Sequence, residues 1–406
     1  MQRLHTVALT ALVVAYALGP MATQILTPAV PFVHRDLGVT MATAQALVSV
    51  AFATIAVATL VYGPLSDCYG RRAVILVGTS LFCVGSLVAA VAPSAGWMIA
   101  GRAIQAAGSA AALSLTRTVI HDVYGRQHSA RVLAHLTTVM IIVPMLAPGV
   151  GGALLDHVGW RAVFGVCLAF GVVALSLLAV SLPETRPARV RDLKLQEAFV
   201  DYATLLADRD YLAPALHFSF VMAAVFATQA AIPYLVVEVL PGTATEYGVW
   251  FGVACLFYIA GNQFTARWGD RLASRRLIRY SGIGCSVAAL AGTVTAHVFA
   301  LGTALLFLPT MVLYFFAGIG IAPVQAEALA AQPGRSGAAS GLMSAMQMAI
   351  GAATVQAIGF SHDGTPQPMF AGLVVCTAAA VVSFASVYRA TAPAGSHVPC
   401  QQDAAR

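Results

Sequence analysis

Charged residues are scarce in this sequence. Asp, Glu, Lys and Arg make up only 9% of its 406 residues, whereas hydrophobic residues make up 59%. Soluble domains carry about 25% charged and about 45–50% apolar residues. A soluble fold of this size could not bury so much apolar surface. The composition therefore excludes a soluble globular protein and predicts one that lies in a lipid bilayer.

Several patterns that would indicate chemistry are also missing. The sequence contains no G-x-x-x-x-G-K-[ST] loop for ATP, and neither G-x-S-x-G nor H-E-x-x-H. The seven cysteines show no C-x-x-C or Cys/His ligand spacing, so we expect no disulfide and no metal. Basic residues are dispersed over short loops, which argues against nucleic-acid binding. We therefore expect neither an enzyme nor a protein that holds a cofactor.

Long uncharged runs dominate the sequence instead. A helix needs about 20 apolar residues to cross the hydrocarbon, and helices satisfy their backbone groups within such a segment. The alternating strands of a membrane barrel are not seen. The sequence thus predicts an all-α membrane protein with twelve transmembrane helices, near residues 5–29, 41–63, 73–92, 97–120, 131–155, 161–182, 211–237, 246–266, 277–296, 299–323, 337–359 and 369–388.

The basic residues predict how these spans are oriented. With twelve spans both termini lie on one side, and nearly all Lys and Arg residues fall on that side. Only Arg35 and Arg161 fall opposite, while Arg102 and Arg117 lie inside spans. Cytoplasmic loops carry the excess of positive charge, so we expect both termini in the cytoplasm. The net charge of +6 is then a signal of topology.

One polar stretch divides the chain into two halves. We predict a first six-helix bundle over residues 1–182, a cytoplasmic linker over 183–210, a second six-helix bundle over 211–389 and a cytoplasmic tail over 390–406. Part of the linker could form an amphipathic helix on the membrane. The halves also echo each other, because "LSDCYGRR" after the second span corresponds to "WGDRLASRR" after the eighth. Such a duplication favours a transporter whose site lies between pseudo-symmetric bundles.

Three motifs resemble those of a known family. "GPLSDCYGRR" is similar to the loop 2–3 signature of the major facilitator superfamily, and "RAIQAAGSAA" and "PMLAPGVGGALLD" resemble its fourth-helix and fifth-helix antiporter patterns. "TRTVIHDVYG", "GWRAVF" and "PETRP" further resemble the Bcr/CflA drug-efflux branch. The usual basic residue after the aspartate of the first motif is replaced by Cys68.

The first motif predicts a cluster of charges at the cytoplasmic face. Asp67 and Arg71 are four residues apart and able to pair, and Asp122 ends the fourth span on the same side. Such an Asp–Arg–Asp cluster would latch helices together. The resemblance implies a cytoplasmic gate that holds the outward-facing state and breaks on inward opening, with Gly63, Asp67, Gly70, Arg71, Arg72 and Asp122 as its residues. Alternatively, Arg71 and Arg72 only set the topology.

Two arginines inside the fourth span are costly in hydrocarbon and should face the bundle interior or water. Arg102 shares one broad helix face with Gln105 and Arg117. We expect this face to serve proton coupling and recognition of polar substrate groups. The alternative is structural, with carbonyl bonding at kinks and snorkelling of Arg117.

The fifth span carries a run of helix-bending and small residues. Pro144 and Pro148 each remove a backbone donor, and Gly149, Gly151 and Gly152 allow a second helix to approach closely. The resemblance implies that this gating motif seals against a helix of the second half. Ordinary tight packing without gating is the alternative.

The sequence departs from the Bcr/CflA branch in the first span. That branch often has an acid where "TQILTPAVP" places Gln24, and glutamine cannot exchange a proton. No acid lies deep in a predicted span, which makes cationic substrates less expected. Proton coupling would then depend on Asp122, Glu327, a histidine such as His217, or the substrate itself, although a lone membrane histidine commonly bonds between helices.

We therefore expect a secondary-active transporter of a bacterial inner membrane. It would export small amphipathic drugs or metabolites by alternating access, driven by a proton gradient, and act as a monomer. The alternative is an importer or uniporter of a small metabolite, which the antiporter-like fifth helix disfavours. An intramembrane enzyme is disfavoured because no nucleophile–base pair or carboxylate pair lies at membrane depth.

Overall fold

Helices make up nearly all of the computed structural model, which describes residues 6–185, 195–298, 302–332 and 335–388. No strand occurs within these ranges. The helices are α1 (Thr6–Leu26), α2 (Val30–Asp36), α3 (Met41–Tyr69), α4 (Arg71–Ala90), α5 (Ala95–His157), α6 (Trp160–Ser181), α7 (Leu195–Ala207), α8 (Arg209–Tyr234), α9 (Ala244–Trp268), α10 (Ser274–Val298), α11 (Thr303–Ala330), α12 (Ser336–Phe360) and α13 (Gln367–Tyr388).

Ten helical stretches within the described ranges are long and apolar enough to cross a membrane. The first comprises α1 and α2, joined by a 3-10 turn over Thr27–Ala29. We call the side on which α1 begins the inner face, because the basic residues predict that it is cytoplasmic, and the opposite side the outer face.

Helix α5 contains the predicted fourth and fifth spans. Its 63 residues would reach about 95 Å if the helix were straight. However, Arg102 bonds to the Ala22 carbonyl, and a Cβ on Gly151 would meet the Ile25 carbonyl. Both ends of α5 thus contact the same turn of α1, so the chain reverses direction inside this element. The two limbs of α5 hold the predicted fourth and fifth spans, and nothing in the sequence indicated that these would form one continuous helical element.

Glycines allow α4 and α5 to pack backbone against backbone. Gly78 and Gly85 lie two turns apart on α4, opposite Gly108 and Gly101 on α5. A Cβ on Gly85 would lie 2.6 Å from the Gly101 carbonyl oxygen, and one on Gly101 would lie 2.7 Å from the Ala89 nitrogen. Small residues at such intervals are the usual means of close helix contact in membranes.

The buried apolar residues form two main clusters, one in each half of the chain. The cluster of the second half also takes in residues from the outer part of the first half, among them Val30, Met41 and Phe52. The cluster of the first half takes in Ala244 from the second. The two cores therefore meet near the outer face.

Helix α7 connects the halves along the inner face. Its Tyr202 hydroxyl donates to the Leu60 carbonyl of α3 at 3.3 Å, and its Asp201 pairs with Arg335, before α12, at 2.9 Å. Part of the predicted linker, residues 186–194, and the predicted tail, residues 390–406, lie outside the described residues. The predicted boundaries of the two bundles stay predictions.

Candidate functional site at the interface of the two halves

The inner-face cluster brings three charged side chains together. Arg71 Nη1 lies 2.7 Å from Asp67 Oδ1, and Arg71 Nε lies 3.3 Å from Asp122 Oδ2. Arg71 also donates to the Ser66 hydroxyl, and its side chain is only 11% exposed. These residues all belong to the first half, so the cluster joins α3, α4 and α5 of one bundle. Its role as a reversible clasp stays a prediction.

The two glycines of this motif, Gly63 and Gly70, have different structural roles. Gly70 connects α3 to α4 with a φ of +92°, which side-chain-bearing residues rarely adopt. Gly63 lies inside α3, and a Cβ on it would have no atom within 4 Å. No neighbouring helix therefore requires a glycine at position 63.

Glu184 completes this region, and the sequence did not identify it as a site residue. It follows α6 in the "PETRP" phrase, and its carboxylate accepts from the backbone N–H groups of Arg71 at 2.9 Å and Arg72 at 3.2 Å. Arg72 in turn donates to the Ala179 carbonyl of α6. A carboxylate at the start of α4 satisfies free N–H groups and complements the helix dipole.

Arg102 lies inside the first bundle. It is 2% exposed and donates to the Leu47 carbonyl at 3.1 Å, the Ala22 carbonyl at 3.3 Å and Gln105 Oε1 at 2.5 Å. Gln105 donates onward to the Ser86 hydroxyl at 2.7 Å. The predicted Arg102–Gln105 proximity is present, but the pair does not line an open chamber. A guanidinium needs many acceptors when it is dry, and α1 and α3 supply them here.

Arg117 is placed differently from Arg102. Its side chain is exposed, and its Nη2 donates to the Tyr16 hydroxyl of α1 at 3.1 Å. Arg117 follows Gly108, which abuts α4, by about two and a half helical turns and so points to the opposite side of α5.

The small residues of the fifth span contact α9. A Cβ on Gly248 would lie 2.5 Å from the Gly149 Cα and 2.8 Å from the Pro148 carbonyl oxygen. A Cβ on Gly152 would lie 2.6 Å from the Ala244 carbonyl carbon. Gly151 faces α1 instead, and Pro144 lies within the helix, half-buried. The gating role of this motif stays a prediction.

Near the contact between α5 and α9, neutral side chains of the first half form hydrogen bonds with the second half. Gln24 Nε2 donates to Gln229 Oε1 at 3.0 Å, and Gln45 Nε2 donates to the Ala230 carbonyl at 2.6 Å. Ser49 donates to Gln356 Oε1 at 2.6 Å. We call these bonds, together with the α5–α9 contact, the outer seal.

His217 lies away from the interface of the halves. It is 1% exposed, its Nδ1–H donates to the Ala380 carbonyl of α13 at 2.9 Å, and a Cβ on Gly282 of α10 would approach its ring to 3.0 Å. This placement between α10 and α13 supports the alternative of a histidine that bonds between helices. A part of His217 in proton coupling stays a prediction.

The described carboxylates lie at the two faces. Those near the outer face are Asp36, Asp156, Glu238, Glu246 and Asp363, and those near the inner face are Asp67, Asp122, Glu184, Asp201, Asp208, Asp210 and Glu327. No group of three or more His, Cys, Asp or Glu among the described residues could hold a metal ion.

Two histidines flank a tyrosine on the outer face. The Tyr234 and His362 ring centroids are 4.2 Å apart in an edge-to-face arrangement, and His34 lies 6.4 Å from Tyr234 on the other side. The group connects α2 of the first half to α8 and the α12–α13 loop of the second. Burial lowers the pKa of His362, the Asp363 charge opposes this shift and His34 adds to it.

Acid is expected to destabilise the contact of His362 with Tyr234 and His34 on the outer face. Because its folded pKa lies below the ordinary value of about 6.5, the unfolded chain takes up the proton first as the pH falls. His362 therefore leaves the free energy of unfolding unchanged above about pH 6.5 and lowers it as the pH falls below that value. The apparent Tm of purified protein should fall on acidification, and His362→Gln should lessen that fall. His297→Gln, also near the outer face, should behave like wild type, whereas an equal fall in His362→Gln would contradict the assignment.

Comparison with known proteins identifies the family. A family model described as Major Facilitator Superfamily matches residues 12–355. The chain therefore belongs to the Major Facilitator Superfamily, and it is a multi-pass membrane transporter and not an enzyme. Multidrug resistance protein D of Escherichia coli (strain K12) is 29% identical over 336 residues, 83% of this chain and 84% of that protein. The chloramphenicol resistance protein of Pseudomonas aeruginosa is 29% identical over 297 residues, 73% of this chain and 69% of that protein.

Solved structures agree on the fold. A crystal structure of a peptide transporter covers 94% of this chain with a TM-score of 0.75, and 93% of that chain is matched. The sequence identity is 13%, so this likeness concerns the fold alone.

Proposed function

We propose that this protein is a proton-coupled exporter of small amphipathic drugs or metabolites in a bacterial inner membrane. The proposal is supported by the relatives named for resistance to multiple drugs and to chloramphenicol. Both termini would lie in the cytoplasm, a monomer would suffice, and the proton gradient would supply the energy without a cofactor.

The outer seal is the observation that carries the mechanism. Its contacts are amide hydrogen bonds and glycine-to-backbone packing between α5 and α9. Neutral bonds of this kind contribute about 0.5–1.5 kcal/mol each in proteins, so the halves could part without separating buried ion pairs. We infer that the seal opens and closes during transport, while the Asp67–Arg71–Asp122 cluster keeps the inner end of the first bundle together.

Export from energised cells tests this proposal. In a pump-deficient bacterium the wild-type protein is expected to lower drug accumulation, and an uncoupler should abolish the effect. Asp67→Asn should impair efflux more than it lowers the amount of protein in the membrane. Energised uptake of a substrate without any efflux would overturn the proposal in favour of the importer alternative.

A further inference from the structure

A chain of hydrogen bonds at the interface of the halves has a fixed direction. The Val225 carbonyl can only accept, so Thr228 donates to it at 2.7 Å. The Thr228 hydroxyl, 3.2 Å from the Tyr314 hydroxyl, has no second proton and therefore accepts from Tyr314. Tyr314 in turn must accept from Gln229 Nε2, which lies 3.5 Å away.

This direction determines which atom of Gln24 is left over. With its nitrogen turned to Tyr314, Gln229 presents its oxygen to Gln24, so Gln24 donates through Nε2. Gln24 Oε1 then remains as a buried acceptor without a hydrogen-bond partner, and Gln24 as a whole is 7% exposed. A buried carbonyl oxygen without a donor is costly. A ligand that brings an N–H or O–H group would satisfy it.

Arg117 supplies a second polar point, nearer the inner face of the first bundle. It bonds to Tyr16, which precedes Gln24 on α1 by about 12 Å of helix. An exposed guanidinium binds carboxylates and other oxygen acceptors with charge-assisted hydrogen bonds. The first bundle thus offers an acceptor near the middle of its first span and a cation nearer the inner face.

No described carboxylate lies between these two points, because the described acids are confined to the two faces. A permanent cation would meet Arg117 without a compensating negative charge, and charge pairs interact strongly where water is scarce. An anion would instead be attracted. The charge pattern therefore selects against cations.

We propose that a chamber between the halves, extending from Gln24 toward Arg117, binds amphipathic weak acids, with a neutral hydrogen-bond donor at Gln24 Oε1 and an anionic group at Arg117. This inference rests on the proposed export function and specifies its substrate class. An apolar body of about 12 Å between the two polar groups would fit the spacing along α1. Arg117 and Gln24 are then the residues that determine specificity.

Matched fluorescent probes test the substrate class by binding. Dansyl-aminooctanoate carries a sulfonamide N–H and a carboxylate, and its analogue with trimethylammonium in place of the carboxylate reverses only the charge. Purified full-length protein in lipid nanodiscs should bind the carboxylate probe at least about tenfold more tightly than the cation. Arg117→Gln should weaken binding of the carboxylate probe by about tenfold, and Arg117→Lys should retain part of it.

Two more variants complete the test. Gln24→Glu places a carboxylate in the chamber and should shift binding toward the trimethylammonium probe. Arg279→Gln, which removes an exposed arginine from the inner end of α10, should bind both probes like wild type. Equal affinity of wild type for the two probes, or no effect of Arg117→Gln in a variant that elutes as folded protein, would overturn the inference and leave export intact. Loss of uncoupler-sensitive efflux for all compounds would overturn the export function itself.

Discussion

Gly85→Val is expected to abolish most of the folded protein. A Cβ at this position would lie 2.6 Å from the Gly101 carbonyl oxygen and 2.7 Å from the Gln105 Cα. Overpacked cores usually lose about 1–3 kcal/mol because side chains rotate away. The obstacle here is the backbone of α5, which cannot rotate. We therefore expect a cost of at least about 3 kcal/mol, together with separation of α4 from α5.

Gly165→Val is the matched control for this prediction. Gly165 lies within α6, is exposed, and has no atom within 4 Å of a Cβ built on it. Both substitutions change helix propensity alike, so only the packing differs. The measurement is the yield and apparent Tm of monodisperse protein in detergent. If Gly85→Val behaved like Gly165→Val, the backbone contact between α4 and α5 would be wrong.

Arg102→Met is expected to separate stability from transport. Arg102 is a buried cation whose Nη2 has no hydrogen-bond partner, and its contacts are neutral carbonyls and an amide. Replacing a buried ion pair with apolar residues of similar size is often neutral or stabilising by about 1–4 kcal/mol. Removing Arg102 likewise removes a buried charge, but it leaves Gln105 Oε1 without its donor, which costs about 1–3 kcal/mol. A charge retained in the membrane at such a cost indicates function. Because the two effects on stability oppose each other, we expect a Tm close to that of wild type and at least a tenfold loss of transport, or about 1.4 kcal/mol.

Arg102→Lys distinguishes the charge from the hydrogen-bonding geometry. Lysine keeps the positive charge but lacks the planar set of five donors, so transport should lie between wild type and Arg102→Met. Efflux rates in energised cells and thermal unfolding of the purified variants are the two measurements. If Arg102→Met exported drugs like wild type, Arg102 would have no role in transport. If the Arg102→Met variant failed to fold, the role of Arg102 would be structural.

Much of the architecture could be predicted because hydrocarbon imposes simple rules on the chain. Long uncharged runs predicted helices at the right places, since backbone groups in lipid must be paired within each segment. Asp67 and Arg71 do pair as the sequence predicted, but not as neighbours on one helix, because α3 ends at Tyr69 and Gly70 turns the chain into α4 before Arg71.

The remaining features depend on contacts between distant segments. A helical wheel showed that Arg102 and Gln105 share a face, but not that α1 and α3 cover it. Glu184 is separated from Arg71 by more than a hundred residues, and no local pattern indicated that it would bind the start of α4. The pairing of Gln24 with Gln229 likewise depends on how the two bundles dock, which neither half specifies alone.

Helix α7 holds one bundle through Tyr202 and the other through Asp201. If the two bundles rotate so that Leu60 moves away from Arg335, helix α7 cannot keep both contacts. Either the Tyr202–Leu60 hydrogen bond or the Asp201–Arg335 ion pair must then break. In the proposed transport cycle, breaking one of these two contacts would therefore add to the free energy needed for each change between inward-facing and outward-facing states.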